Sequence, residues 1–219
     1  MKQNIKNFIT KIQLDNNSYN EIISFYDKLE NSNLDTEFLS IIDEYKDQYL
    51  DYQLLVNKLH EFEKKNNLNI YQFDLLFIIC LFIKLENLYI KNNLPLNIYW
   101  NTAKDVKYKM IECQLVKHIT GTFVINWFIQ FFTLNRFGIG RLQYEITKAY
   151  FDYKDREISI CSNDDAIAIH IPRTEEKLSI EMVNDSINQA VQFLKKDNSI
   201  IFKCESWLLY PKTVEMVGQ

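Results

Sequence analysis

Glycine and proline are scarce, at 4 and 3 residues in a chain of 219. That excludes collagen-like repeats, flexible linkers and many-bladed β architectures, which all need frequent turn residues. Cysteine is sparse too. Cys80, Cys113, Cys161 and Cys204 stand alone, with no C-x-x-C pair and no clustered histidines. Neither a disulfide framework nor a structural zinc site is expected, and no metal is assigned. Positive charge is not in surplus, with 25 Lys+Arg against 29 Asp+Glu. The net charge of −4 gives no footprint for nucleic acid and no polybasic membrane patch. The longest apolar run, residues 75–83, is far below the roughly 20 residues of a spanning helix. Met1-Lys2-Gln3-Asn4-Ile5-Lys6 lacks the apolar core of a signal peptide. A reduced, cytoplasmic protein is expected, with neither a membrane nor a nucleic-acid partner.

What is present is core-forming. Apolar residues make up 47% and aromatics 14%, enough for one large domain or two small ones. The first half reads as helices. Ile5, Phe8, Ile9 and Ile12 form one apolar stripe. Ser18-Tyr19-Asn20-Glu21 matches a capping box ahead of Ile22, Ile23, Tyr26 and Leu29. Asp35 is the expected cap of the next helix, and Leu54, Leu55, Leu59 and Phe62 mark a fourth. Residues 70–91 predict a central buried helix. After Pro95, a long helix is expected over 97–118, and after Thr120-Gly121 an aromatic helix over 123–133.

The period then changes. Residues 139–151 alternate as a strand, with Leu142, Tyr144 and Ile146 against Arg141, Gln143 and Glu145. A short strand is expected over 157–161, and another over 166–171 ending at Pro172. Ser179 is the expected cap of a helix reaching about Lys196, and a last strand is expected over 200–209. Tight turns make the first three strands antiparallel, and the intervening helix allows a parallel fourth.

His170 falls at the carboxyl end of a strand before a crossover helix, where open sheets bind ligands. It is a candidate for proton transfer, or else a structural histidine bonded to a loop carbonyl. Cys204 and Ser206 would share a strand face, and beside the His170 strand either could meet the imidazole. The plainer reading of Cys204 is a buried thiol. Glu145 is a second candidate base, or a solvent-facing carboxylate. Arg173, Thr174 and Lys177 could hold a diphosphate at the next helix start, or form a solvated loop weakened for that task by Glu175 and Glu176. Gly138-Ile139-Gly140 lacks the third glycine of a dinucleotide fingerprint, and no strand is expected before it. An acyl-CoA loop of the Q/R-x-x-G-x-G/A type is rejected as well, because Asn135 stands at its first position.

Three segments together resemble a bacterial family of acyltransferase-domain proteins, which joins a helical N-acyltransferase N-terminal domain to a GNAT-like C-terminal domain. They are Ile139-Gly140-Arg141-Leu142-Gln143-Tyr144-Glu145, Ile169-His170-Ile171-Pro172 and Cys204-Glu205-Ser206-Trp207-Leu208-Leu209-Tyr210-Pro211. Asp105, Thr120-Gly121 and Ser186-x-x-x-Ala190-x-x-Phe193 agree with them, so the similarity covers about residues 97–211.

The resemblance implies an α+β fold: a helical domain over 1–118, then a GNAT-like mixed sheet over 119–219. That sheet would have three antiparallel strands, a crossover helix and one parallel strand. It implies transfer of an acyl group from acyl-CoA, or from a carrier-protein thioester, to a small-molecule or peptide amine. His170 would be the base and Glu145 the second choice, with Ser206 or Cys204 serving the leaving thiolate. Pantetheine would lie along Ile169, Ile171 and Pro172, and the diphosphate near Arg173, Thr174 and Lys177. The family's sheet continues beyond the fifth strand with a helix and a hairpin, so a dimer mate or partner chain is expected to complete the short C-terminal side. The rival expectation is a non-catalytic module that pairs with another chain through its sheet edge.

Overall fold

Helices fill the first of two units, Met1–Leu134, in a computed structural model that describes residues 1–46, 51–174, 176–194 and 200–206. They are α1 (Lys2–Lys11), α2 (Asn16–Asn31), α3 (Asp35–Asp43), α4 (Tyr52–Lys65), α5 (Ile70–Lys91) and α6 (Leu96–Lys117). The 75–83 run forms the middle of α5, where residues 75–82 are fully buried. Phe82 there touches the rings of Phe8, Phe128, Phe131 and Phe132. Those rings hold the 125–132 segment to α5, so the division between units falls after Leu134 rather than near 118.

Local chemistry moves several expected boundaries. Asp15, not Ser18, caps α2: its carboxylate accepts from the N–H groups of Asn17 and Ser18. Ser18 lies inside the first turn, buried, and donates its hydroxyl to Asp15. A carboxylate accepts more strongly than a hydroxyl, so the acid takes the cap. Asp35 is the first residue of α3 and makes no cap bond, and Leu54 faces outward on α4. The aromatic helix expected over 123–133 is instead a 3₁₀ turn, Ile125–Phe128, followed by the single turn α7 (Ile129–Phe132). Ahead of it, Gly121 packs so tightly on α5 that a Cβ would sit 2.6 Å from the Tyr71 carbonyl oxygen. The Thr122 N–H donates to that carbonyl at 2.9 Å. No helix among the described residues is long and apolar enough to cross a membrane.

The second unit, Asn135–Gln219, carries β1 (Arg136–Ile139), β2 (Leu142–Lys148), β3 (Tyr153–Lys154), β4 (Ser159–Ile160), β5 (Asp165–His170), α8 (Ile180–Phe193) and β6 (Ile201–Cys204). The main sheet runs β1-β2-β5-β6, with β1, β2 and β5 antiparallel and β6 parallel to β5. The mixed α+β arrangement of three antiparallel strands, a crossover helix and one parallel strand is therefore present. Its membership differs, however. The 157–161 strand leaves the main sheet to pair with β3 in a two-stranded ribbon, and β1, unforeseen, takes its place. The end of the crossover helix near Lys196, Glu175, and the last strand and third motif from Trp207 to Pro211 lie outside the described residues.

Two faces of the sheet differ in kind. Phe137, Tyr144, Ile169 and Cys204 are in register across it and share one face. The crossover helix α8 packs there. Ser179 caps it by accepting from the Met182 N–H at 3.2 Å, and Phe193 meets Phe137 with ring centroids 5.1 Å apart. Buried Ser186 donates to the Ile139 carbonyl, accepts from the Leu142 N–H at 3.3 Å, and lies 2.9 Å from the Tyr144 hydroxyl. Gly140 makes the β1–β2 turn at φ +59°, where an added Cβ would meet Ser186 Cα at 3.0 Å. The other face carries Arg136, Glu145, Ala168 and Lys203 in register.

Candidate active site

Glu145 and His170 are diagonal neighbours on that second face. Glu145 is in register with Ala168, and His170 with Gln143. His170 Nε2 lies 2.9 Å from Glu145 Oε2. The same oxygen accepts from Arg136, at 3.0 Å through Nε and also through Nη2. Side-chain exposure rises along the trio: 6% for Arg136, 18% for Glu145 and 28% for His170. The imidazole is thus the end most open to an incoming molecule.

Donors on Glu145 outweigh its burial. The hydrogen bond from His170, then the bonds and charge of Arg136, hold its carboxyl down to about 2. Glu145 is therefore an ionised acceptor near neutral pH and a weak base, not a solvent-facing strand residue. Since that carboxylate can only accept, Nε2 is the protonated nitrogen of the neutral ring, and Nδ1 carries the basic lone pair.

The cysteine does not join this group. β5 and β6 do lie side by side, but Cys204 is in register with Ile169, so it shares Ile169's face, opposite to His170. Burial pushes its thiol up, and neighbouring Glu205 adds to the shift. A Cys204–His170 pair is thereby excluded by strand register. Ser206 lies half-buried, two residues beyond the end of β6.

The parallel ladder runs from Ala166↔Ile201 to Ile169↔Cys204. Every residue of β6 is paired in this ladder, and Ile171, Pro172, Arg173 and Thr174 follow as loop past its end. Arg141, in the β1–β2 turn, braces that loop by donating to the carbonyls of Pro172 at 3.0 Å and Glu176 at 3.3 Å. Arg173 and Lys177 are exposed there, and Thr174 donates to the Glu176 carbonyl at 3.1 Å. The first turn of α8 is partly occupied from within, by the Ser179 cap and by Glu181. Arg136, the Arg141 brace and the β1 strand are what the sequence reading missed. A strand buried at all four positions has no alternation to detect.

Residues 136–219 match the model of the family described as GNAT-like C-terminal domain. The resemblance seen in the sequence motifs is thus supported by an independent match to the same kind of domain. No curated protein matches the chain at a significant level. Among solved structures, an acyltransferase in complex with decanoyl-CoA and teicoplanin is 11% identical, with 95% of this chain and 63% of that chain covered and a TM-score of 0.65. An acyltransferase in complex with decanoyl-CoA is 15% identical, with 95% and 64% covered and a TM-score of 0.64. A mutant acyltransferase in complex with octanoyl-CoA gives 11%, 97%, 64% and 0.66 for the same measures. The chain therefore spans just under two thirds of the length of these structures. The likeness extends beyond the matched segment into the helical unit and is one of fold.

Proposed function

We propose that the protein is a GNAT-like acyltransferase that moves an acyl group from acyl-CoA to an amine. The observation that carries this reading is the Glu145–His170 pair at the end of β5, beside the point where the β5–β6 ladder stops. Its support from similarity is that proteins of this fold have been solved as acyltransferases with decanoyl-CoA or octanoyl-CoA. One of them also holds teicoplanin, which favours a small-molecule acceptor. A carrier-protein thioester offers the same pantetheine arm and is the alternative donor.

His170 is the base. Nδ1 takes a proton from the neutral acceptor amine as its nitrogen forms a bond to the thioester carbonyl carbon. The carbonyl electrons move onto oxygen, where backbone N–H groups past the ladder, near Ile171, receive the charge. Collapse re-forms the carbonyl and breaks the carbon–sulfur bond. The departing thiolate then takes a proton through the Ser206 hydroxyl, which regains one by way of solvent from the His170 imidazolium. Glu145 stays ionised throughout and steadies the imidazolium, and buried Arg136 keeps Glu145 in place. Ile169, Ile171 and Pro172 would flank the pantetheine. Arg173, Thr174 and Lys177 would meet the diphosphate, in competition with the self-capped start of α8.

Thermal denaturation with acetyl-, octanoyl- and decanoyl-CoA tests the reading, followed by thiol release with a panel of amines. The midpoint is expected to rise with thioester concentration, because the ligand binds the folded state. No shift, no thiol release and co-purification of a partner chain would overturn it in favour of the non-catalytic module.

A further inference from the structure

Three side chains converge in the helical unit, and the acyl-transfer reading uses none of them. His60 and Glu63 sit one turn apart on α4, and Asp74 faces them from α5. One donor atom of each lies within 4.8 Å of the other two. His60 Nε2 is 3.0 Å from Asp74 Oδ1. Glu63 is only 2% exposed and Asp74 only 3%. Both Glu63 carboxylate oxygens are buried, and neither has a hydrogen-bond partner among the described residues. A buried carboxyl in that position is costly in either state. As an acid it lacks an acceptor, and as an anion it lacks a counter-charge.

We infer that His60, Glu63 and Asp74 form a site for a divalent transition-metal cation that joins α4 to α5. Two carboxylates and a neutral imidazole around a dication sum to zero charge, which removes the objection to burying both acids together. An imidazole nitrogen with two carboxylate oxygens is a donor set that zinc-like cations accept. Bond lengths of about 2.0–2.2 Å bring neighbouring donors to roughly 3 Å apart, the spacing already held by His60 and Asp74. The i, i+3 spacing puts His60 and Glu63 on one helix face. The His60 side chain, 36% exposed, leaves an entry path and room for water as a further ligand. The absence of C-x-x-C and clustered histidines did not bear on this donor set. Its mark is burial, which spacing alone does not reveal.

The test uses the full chain, stripped with a chelator and titrated with zinc chloride by calorimetry, alongside manganese and magnesium chlorides. One zinc per chain is expected, with a thermal midpoint that rises with zinc concentration. Losing a supporting partner of a metal site already costs about 10–100-fold in affinity, so His60→Ala and Glu63→Gln should each weaken zinc binding by at least about 100-fold. Both should keep the helical circular dichroism. His118→Asn, outside the cluster, should bind zinc as the parent does. Equal zinc binding by the parent and both cluster variants, or no binding by the parent, would overturn the assignment. If Glu63→Gln does not fold, His60→Ala decides, since its side chain is partly in solvent.

Discussion

Glu145 and His170 meet across β2 and β5 two residues out of register, with Oε2 and Nε2 2.9 Å apart. A directly opposed pair would place the imidazole in the middle of the sheet. The diagonal offset carries it to the strand end instead, while keeping both side chains on one face. Acid and imidazole thus form a linked pair with a fixed tautomer. The first expectation concerns that pair. His170→Ala should lower turnover by roughly 10²–10⁴-fold, measured as thiol release at saturating thioester. A parental rate would remove His170 from the role of base.

Replacing Glu145 reaches further than the site. Glu145→Gln removes the carboxylate that pairs with the Arg136 guanidinium, whose side chain is 6% exposed. Breaking a buried pair from one side costs about 3–5 kcal/mol. Urea unfolding near neutral pH should show a loss of that size, and a change under about 1 kcal/mol would place the pair with ordinary surface contacts.

Acid should erase part of that difference. Glu145 titrates at about 2 in the folded chain, against 4.5 for the unperturbed group. A depressed carboxyl contributes stability that is complete above the unfolded value and disappears as pH falls through the folded one. The gap between the parent and Glu145→Gln should narrow from about pH 4.5 downward, nearing closure around pH 2. A pH-independent gap across that window would contradict the ion-pair account.

The hairpin turn offers a separate check. Gly140→Ala should destabilise the protein by roughly 1–3 kcal/mol, since a side chain is strained at positive φ and its Cβ would press on Ser186. Ser186→Ala should cost about 1–3 kcal/mol by removing the hydroxyl shared by Ile139, Leu142 and Tyr144. Denaturation of the two single variants and the double variant should show non-additive losses, because both act on one contact.

Cysteine chemistry should be dispensable. Cys204 shares the face of Ile169, so Cys204→Ala should retain turnover within a few-fold, and thiol alkylation should not abolish it. Complete inactivation by alkylation, prevented by Cys204→Ala, would require a different placement of β6.

Much of the architecture was legible because its signals are local. The apolar run of α5, the Ser179 cap and the Pro172 stop each act within a few residues. The missing parts depend on distant partners. β1 is four residues long, contains Gly138, and is buried throughout, so it carries no alternation. Asp15 outcompeted Ser18 for the α2 cap because it lay one turn earlier with the stronger acceptor. At the site, His170 and Glu145 could be singled out as residue types, but their pairing required the β2–β5 register. Arg136 could not be recognised until β1 existed to carry it. The opposite-face position of Cys204 likewise follows from the single pairing Ile169↔Cys204.

With α8 sealing one side of the sheet, the strands sort their own mutations. Changes at Phe137, Tyr144 or Ser186 should register as lost folding free energy, whereas changes at Gln143, Ala168 or Lys203 flank the imidazole's side. A library confined to Ala168 and Lys203 would vary the imidazole's side while leaving the helix-packed underside untouched, whereas replacing Gln143, 3% exposed, should also cost folding free energy.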